Sequence, residues 1–172
     1  MSGIPGYLAQ ASVTYGAAIE VASDNGLDRW ISFYNDTGGA LTNGAVKLLT
    51  FKVASGVLRP VVIAVATNTG VANTVCVVDN SIVGQGTVPD ASWGFVKVRG
   101  SVLANVDGTN DIVAGDQLQV IDSGTAFIDQ GGAEGAVINS DTSAIALEAY
   151  TTNSIALKSV LLLGSQSSVA AS

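Results

Sequence analysis

The sequence predicts an all-β protein, either a compact β-barrel or a β-sandwich of short antiparallel strands, with an extended N-terminal arm. Short runs of β-branched and aromatic residues alternate with turns that use the chain's 20 glycines, and this spacing is typical of sandwiches and barrels. No segment has convincing amphipathic helical periodicity. The 172 residues suffice for one domain, or for a domain with an arm.

Residues 1–22 are predicted to form the arm. Some apolar residues of segment 6–22 fall loosely on one helical side, but Thr14, Tyr15 and Gly16 weaken a helix there. The segment also lacks the basic start and apolar stretch of a secretory signal. An extended arm can reach a neighbouring subunit and add area or a strand. Its candidate interface residues are Ile4, Pro5, Tyr7 and Leu8.

Residues 23–164 are predicted to form a single β domain that starts with the strand RWISFYN at 29–35. The next strand, AVKLLTFKV, has Leu49, Phe51 and Val53 on its second face, which is therefore partly apolar. In VLRPVVIAVAT, Pro60 marks a bulge, an edge or a break, because proline cannot donate a ladder hydrogen bond. The segments TVCVVDN at 74–80 and SIVGQG at 81–86 are predicted to follow.

The longest predicted strand covers 93–106. Valines 96, 98 and 102 alternate with Lys97, Arg99 and Ser101, so the two cations are expected on a solvated face. Gly94 and Gly100 indicate bends or bulges of the kind that curl a sheet.

Two hairpins are predicted to complete the domain. LQVID at 118–122 pairs with the strand at 125–130, and AIALEAY at 144–150 pairs with SIALKSVLLLG at 154–164. The small polar segment 165–172 is expected to be an exposed tail.

The composition argues against several classes of function. The chain has 14 acids, 7 bases and no histidine, which gives a net charge of −7, whereas direct nucleic-acid binding needs a basic face. The apolar run VVIAVA at 61–66 is far shorter than the roughly 20 residues of a membrane helix. Only 12% of residues are charged, against about 25% in ordinary domains. We therefore expect a surface that is rich in small polar residues or covered by other subunits.

Little in the sequence indicates chemistry, so we expect no enzyme activity and no cofactor or metal. Cys76 lies in an apolar run, and no histidine is present to activate it, so it is expected to be a buried hydrophobe. Asp107, Asn110 and Asp111 offer oxygen ligands to a hard cation in the loop DGTND. A turn in which these side chains bind backbone N–H groups explains the same loop.

The run GFVKVRGSVLANVDGTNDIVAGDQLQVIDSGTAFI, followed by AIALEAYTTNSIALKSVLLLG, resembles capsid decoration (cement) proteins of tailed bacteriophages. The shared elements are the V-K-V-x-G strand, the A-G-D-Q-L corner, a hairpin across S-G-T, and I-A-L-E-A before V-L-L-L-G. The resemblance covers about residues 93–164. It implies a homotrimer, made in the host cytoplasm, that binds the major capsid protein on the outer surface of the virion head, between capsomers. The expected function is to stabilise the shell.

Two alternatives remain open at this point. One is another virion component, such as a tail, baseplate or fibre domain. The other is a carbohydrate-binding or adhesin module, which would need exposed aromatic residues such as Trp30 and Trp93. Since both tryptophans lie in strand-like runs, we expect them to be core or interface anchors, and they complete the set of candidate interface residues.

Overall fold

The computed structural model describes residues 20–23, 26–54, 56–65, 73–120, 124–132, 142–164 and 166–167. Within these ranges the protein is all-β, as predicted, and contains no α-helix. The predicted interface residues Ile4, Pro5, Tyr7 and Leu8 lie outside the described ranges.

Thirteen strands are described. They are β1 (Glu20–Ala22), β2 (Arg29–Asn35), β3 (Leu41–Thr42), β4 (Val46–Ala54), β5 (Val57–Ile63), β6 (Asn73–Val78), β7 (Thr87–Val88), β8 (Ser92–Asp107), β9 (Gln117–Gln119), β10 (Ile128–Asp129), β11 (Ala144–Ala146), β12 (Ile155–Leu162) and β13 (Gln166–Ser167). Short 3₁₀ turns cover Asn80–Val83 and Gln130–Gly132.

Five strands form a partly closed ring, here called the first ring, in the order β2-β5-β4-β6-β8. Antiparallel pairing of β8 with β2 closes one side, whereas β5 joins β2 through the single parallel bridge Tyr34↔Val61. The single bridge lies next to Pro60, where the sequence predicts a bulge, an edge or a break. The buried apolar cluster of this ring is Phe33, Leu41, Leu49, Val62, Cys76, Val78, Val88, Val96 and Val98.

A second ring uses the far half of β8, in the order β8-β12-β11-β9-β10. Its last strand returns to β8 through the parallel bridge Val106↔Phe127. The Phe127 N–H donates to the Asn105 carbonyl at 2.9 Å, and the Asp107 N–H donates to the Phe127 carbonyl at 2.8 Å. Both predicted hairpins are confirmed here, since β9 pairs with β10 and β11 pairs with β12.

The two rings share a wall. Val46 and Leu48 of β4, with Val75 and Val77 of β6, point away from the first ring and pack in one buried cluster with core residues of the second ring. These strands are therefore buried on both faces, which explains their nearly continuous apolar runs. Burial of each such side chain stabilises the fold by about 1.5–3 kcal/mol.

Gly100 bends β8 where it passes from one ring to the other, as predicted, whereas the predicted bend at Gly94 is absent, because β8 pairs there with β2 in regular register. Gly100 has φ +99°, and the register between β2 and β8 shifts between Arg29 and Trp30. A Cβ atom at Gly100 would lie 2.1 Å from the Asp28 Oδ1 atom, so only glycine lets these backbones approach.

The segment SIVGQG at 81–86 does not form a strand. Asn80–Val83 form a 3₁₀ turn that ends at Gly84, which has φ +75°. The buried Asn80 side chain donates to the Gln85 side chain at 2.9 Å and to the Thr87 carbonyl at 3.0 Å. These local bonds hold the chain in a turn, where the apolar Ile82 and Val83 would otherwise favour a strand.

Candidate interaction surfaces

Lys97 is buried, so the expectation of a solvated Lys97 is wrong, whereas Arg99 is exposed as predicted. The Lys97 ammonium lies 2.8 Å from the Asp28 carboxylate and donates to the Ser101 carbonyl. It also lies 4.2 Å from the centre of the Trp30 ring. Strand β2 places Trp30 opposite Lys97. The side chain that covers Lys97 thus comes from a part of the sequence almost 70 residues away.

Trp30 also borders a cavity of about 400 Å³ that Asp79, Leu103 and Leu157 help to line. Its indole N–H donates to the Asp79 carboxylate at 2.9 Å, and the other Asp79 oxygen accepts the Ser81 hydroxyl. Because Lys97 stacks on the ring, the indole has little free area for stacking a sugar. These contacts leave the Trp30 side chain half-buried.

Trp93 is half-buried on the outer side of the first ring. Its ring packs edge-on against Tyr34, with 5.6 Å between the ring centres, and the Arg59 guanidinium lies 5.1 Å from the centre of the Tyr34 ring. Trp30 and Trp93, the two tryptophans among the predicted interface residues, thus belong to different clusters of side chains.

The outer face of β8 and β12 carries exposed leucines. Leu103 pairs with Ser159, and Leu157 pairs with Asn105, so their side chains share the face opposite the second core. Leu103 and Leu157 are each more than half exposed. A second cleft of about 400 Å³ continues this face past Ser101 to three further leucines. We call this set the leucine face: Leu27, Leu103, Leu157, Leu161 and Leu163.

A second apolar surface lies on the hairpin of β4 and β5. Leu49 is the last residue of β4 that pairs with β6, and beyond it the two strands continue as a ribbon. On one side of the ribbon, the row that starts at buried Leu49 continues through Phe51 and Val53, with Leu58 opposite Val53. These last three side chains are 58–68% exposed. Residues 51–54 and 56–59 are called the hairpin tip.

The other side of the hairpin tip is cationic. Lys52 and Arg59 are direct partners across the ribbon. The Lys52 ammonium contacts Asp36 at 2.5 Å and stays largely exposed. Like charges that face each other across two strands repel, so Asp36 and the Tyr34 ring help to hold this pair.

Cys76 is fully buried in the first ring. Burial raises the pKa of the Cys76 thiol far above its ordinary value, because the thiolate would lose its hydration. Among the described residues, no three His, Cys, Asp or Glu side chains are grouped as metal ligands.

The DGTND loop is a turn. Asp107 accepts the Thr109 N–H at 3.0 Å and the Thr109 hydroxyl at 2.6 Å. This is the side-chain-to-backbone bonding that the sequence allows as the alternative to cation binding. As for membranes, the described part of the chain has no helix with the length and apolar character of a membrane span.

Sequence reasoning missed the leucine face and did not single out the hairpin tip. A signal for the first was present, because the alternation of the strand at 93–106 puts Leu103 on the same side as the polar Ser101. For the second, the apolar row at Leu49, Phe51 and Val53 was recognised, but not its exposure. Exposure depends on where β6 ends, which the local pattern does not encode.

Comparison of the chain with protein-family models, with curated proteins and with solved structures found no match.

Proposed function

We propose that this protein is a structural subunit of a tailed-bacteriophage virion, a decoration protein that binds the outer surface of the head between capsomers and stabilises the shell. In this proposal it acts as a homotrimer and contacts the major capsid protein. The observation that carries the proposal is the exposure of apolar strand surface. Ten large hydrophobic side chains among the described residues are 41–68% exposed.

Such exposure is expected of a subunit whose surface is covered in an assembly. Isolated exposed apolar side chains are ordinary, but contiguous patches mark interaction sites. The leucine face and the hairpin tip are two such patches. Large permanent interfaces are also more hydrophobic than transient ones, which agrees with the low charge content of 12%.

The location of the resemblance adds support. Residues 93–164 span β8 to β12, the strands of the second ring. The A-G-D-Q-L corner forms a turn in which Gly115 has φ +99°, and its N–H donates to the Ala146 carbonyl at 2.8 Å. The V-K-V-x-G strand lies mainly in the half of β8 that belongs to the first ring, and the other elements that carry the resemblance lie in the second ring.

The proposal is tested by mixing the purified protein with intact expanded heads that lack decoration and sedimenting the particles. We expect saturable binding of hundreds of copies per head, together with greater resistance of the heads to heat or low salt. Binding of a few copies at a tail or vertex would instead favour the alternative of another virion component. No binding to heads, combined with specific hits on a glycan array, would favour the carbohydrate-binding alternative.

A further inference from the structure

The cavity beside Trp30 contains a carboxylate without a cationic partner. Asp79 is 9% exposed and lines this cavity of about 400 Å³. Among the residues that the structure describes, four acids form ion pairs with a base, and Asp79 is not one of them. A buried carboxylate that no cation balances is costly to keep charged. The cavity therefore holds a negative charge that a cationic ligand can balance.

Lys97 lines the same cavity but is held by other groups. Its ammonium lies 2.8 Å from the Asp28 carboxylate and also donates to a backbone carbonyl. It covers the face of the Trp30 ring, whereas Asp79 accepts the indole N–H at the edge of that ring. Two acids and one base thus meet around Trp30, with a sum of −1. Arg99 lines the neighbouring cleft and not this cavity.

Asp79 can accept further hydrogen bonds. One of its oxygens accepts the Trp30 indole N–H at 2.9 Å, and the other accepts the Ser81 hydroxyl. Because a carboxylate offers about four lone-pair positions, about two of them stay free. The two bonds also hold both oxygens in place, so a cation that enters the cavity meets a preorganised acceptor. Ser81 and Ser159 line the cavity as well, and their hydroxyl oxygens can accept from the same cation.

Part of the cavity wall is apolar. Leu103 and Leu157 of the leucine face line it, and both are more than half exposed. Such a wall suits an alkyl chain that ends in a charge, since lysine side chains lay their methylene stems on apolar surface in the same way. A calcium ion fits less well, because it takes about six to eight oxygen ligands. In the described part of the chain, no three His, Cys, Asp or Glu side chains are grouped for a metal.

We infer that this cavity binds a primary alkylammonium ion, with the ammonium on Asp79 and the alkyl chain on Leu103 and Leu157. Two sources carry this chemical group: the side chain of a lysine on another protein, and a free aliphatic amine. The site is separate from the proposed function, because it requires neither a trimer nor a phage head.

The two tryptophans of the chain provide a readout for the wild-type protein. Trp30 donates its indole N–H to Asp79, whereas Trp93 packs on Tyr34. Protein labelled with ¹⁵N is titrated with n-butylammonium chloride at constant ionic strength, and both indole N–H signals are followed by NMR. The variant Trp93→Phe assigns the two signals. n-Butanol has the same alkyl chain without the charge and serves as the matched control ligand.

We expect n-butylammonium to shift the Trp30 signal saturably, with a Kd of about 1 mM, and to leave the Trp93 signal unchanged. n-Butanol should bind at least about tenfold more weakly, because it cannot form a charge-assisted hydrogen bond with Asp79. Asp79→Asn should weaken the binding of n-butylammonium by about tenfold or more. Asp111→Asn, which removes an exposed acid outside the cavity, should bind like wild type. Circular dichroism with thermal melting checks the fold of each variant.

Two further probes separate the sources of the ammonium group. Nα-acetyl-lysine methylamide presents a lysine side chain on a peptide backbone, and putrescine is a free diamine. If the acetylated lysine binds as tightly as n-butylammonium, the site accepts a lysine of another protein. If only n-butylammonium and putrescine bind, the site is specific for free amines. Both results support the alkylammonium site.

Three results would overturn the inference. If n-butylammonium leaves the Trp30 signal unchanged, the cavity binds no alkylammonium ion. If n-butanol shifts this signal as strongly, apolar contacts and not the Asp79 charge hold the ligand. Undiminished binding to folded Asp79→Asn would exclude the carboxylate as the partner. Should Asp79→Asn fail to fold, the comparison of n-butylammonium with n-butanol on the wild-type protein still decides the question.

Discussion

The Lys97 ammonium of β8 lies 4.2 Å from the centre of the Trp30 ring of β2, and the same ammonium contacts the Asp28 carboxylate at 2.8 Å. One buried cation thus joins the bend of β8 to the start of β2. Because Lys97 is buried and Asp28 is partly exposed, loss of one partner leaves the other with poor solvation.

We predict that Lys97→Met destabilises the protein by about 2 kcal/mol, because Asp28 then lacks its partner while solvent still screens part of the lost interaction. Urea denaturation followed by tryptophan fluorescence measures the change. Arg99→Met, at the exposed cation two residues away, should change stability by less than about 0.5 kcal/mol. Equal effects at both positions would contradict the role assigned to Lys97.

A pair of alanine substitutions separates backbone strain from steric conflict. Gly100 and Gly115 both have φ +99°, but a Cβ at Gly100 would collide with Asp28, whereas a Cβ at Gly115 meets nothing within 4 Å. Gly115→Ala should cost about 1–2 kcal/mol from its φ angle alone. Gly100→Ala should cost about 2 kcal/mol more, because the collision involves Asp28 itself. Similar urea midpoints for the two variants would show that β8 and Asp28 can move apart easily.

The contacts of the Glu148 carboxylate predict that the stability of the fold depends on pH in the acid range. It accepts the Ser159 N–H at 2.6 Å and lies 3.7 Å from the Lys158 ammonium, and the backbone hydrogen bond is the main cause that lowers its pKa. A carboxyl group whose pKa is lower in the folded state stabilises the fold above its unfolded pKa. That contribution disappears as the pH falls through the folded pKa.

Glu148→Gln should therefore lower stability at pH 7 and make the loss of stability less steep as the pH falls below the ordinary pKa of a glutamate, since the residue no longer titrates. Urea denaturation of wild type and variant at several pH values measures this slope. Unchanged slopes would mean that other carboxylates govern the acid response.

The burial of Cys76 predicts how fast the native protein reacts with a thiol-specific reagent. Its thiol is buried in the first ring and its pKa is raised by burial, so little thiolate is available to react. A thiol-specific disulfide reagent should react slowly with the native protein and rapidly in denaturing urea. Fast reaction of the native protein would show that the first ring opens readily at β6.

The sequence predicts much of this fold because its strands are locally encoded. RWISFYN coincides with β2, and the alternation of residues 93–106 coincides with the buried and exposed sides of β8, except at Phe95 and Lys97, which are both buried. Gly100 marks the bend correctly because its need for a positive φ is a local property. The turn at Asn80 is missed because its partners, Gln85 and Thr87, follow the turn.

The candidate surfaces are harder to predict, since exposure depends on which strands lie next to each other. Trp30 and Trp93, which are expected to be core or interface anchors, are both half-buried against neighbouring side chains. The alternation of β8 puts exposed Leu103 on the side of polar Ser101, but the local sequence does not show why Leu118 is buried whereas Leu103 is not. That difference follows from the closure of the second ring, which covers one face of β8 and leaves the other bare.

The sharing of β8 between the two rings has a consequence for unfolding. Neither ring can come apart without removing a wall of the other, so the described strands should melt in one cooperative transition in spite of their two cores. Amide protons in the middle of β8 should accordingly exchange with deuterium only when the whole molecule opens. Because both rings depend on β8, the described strands are expected to unfold together.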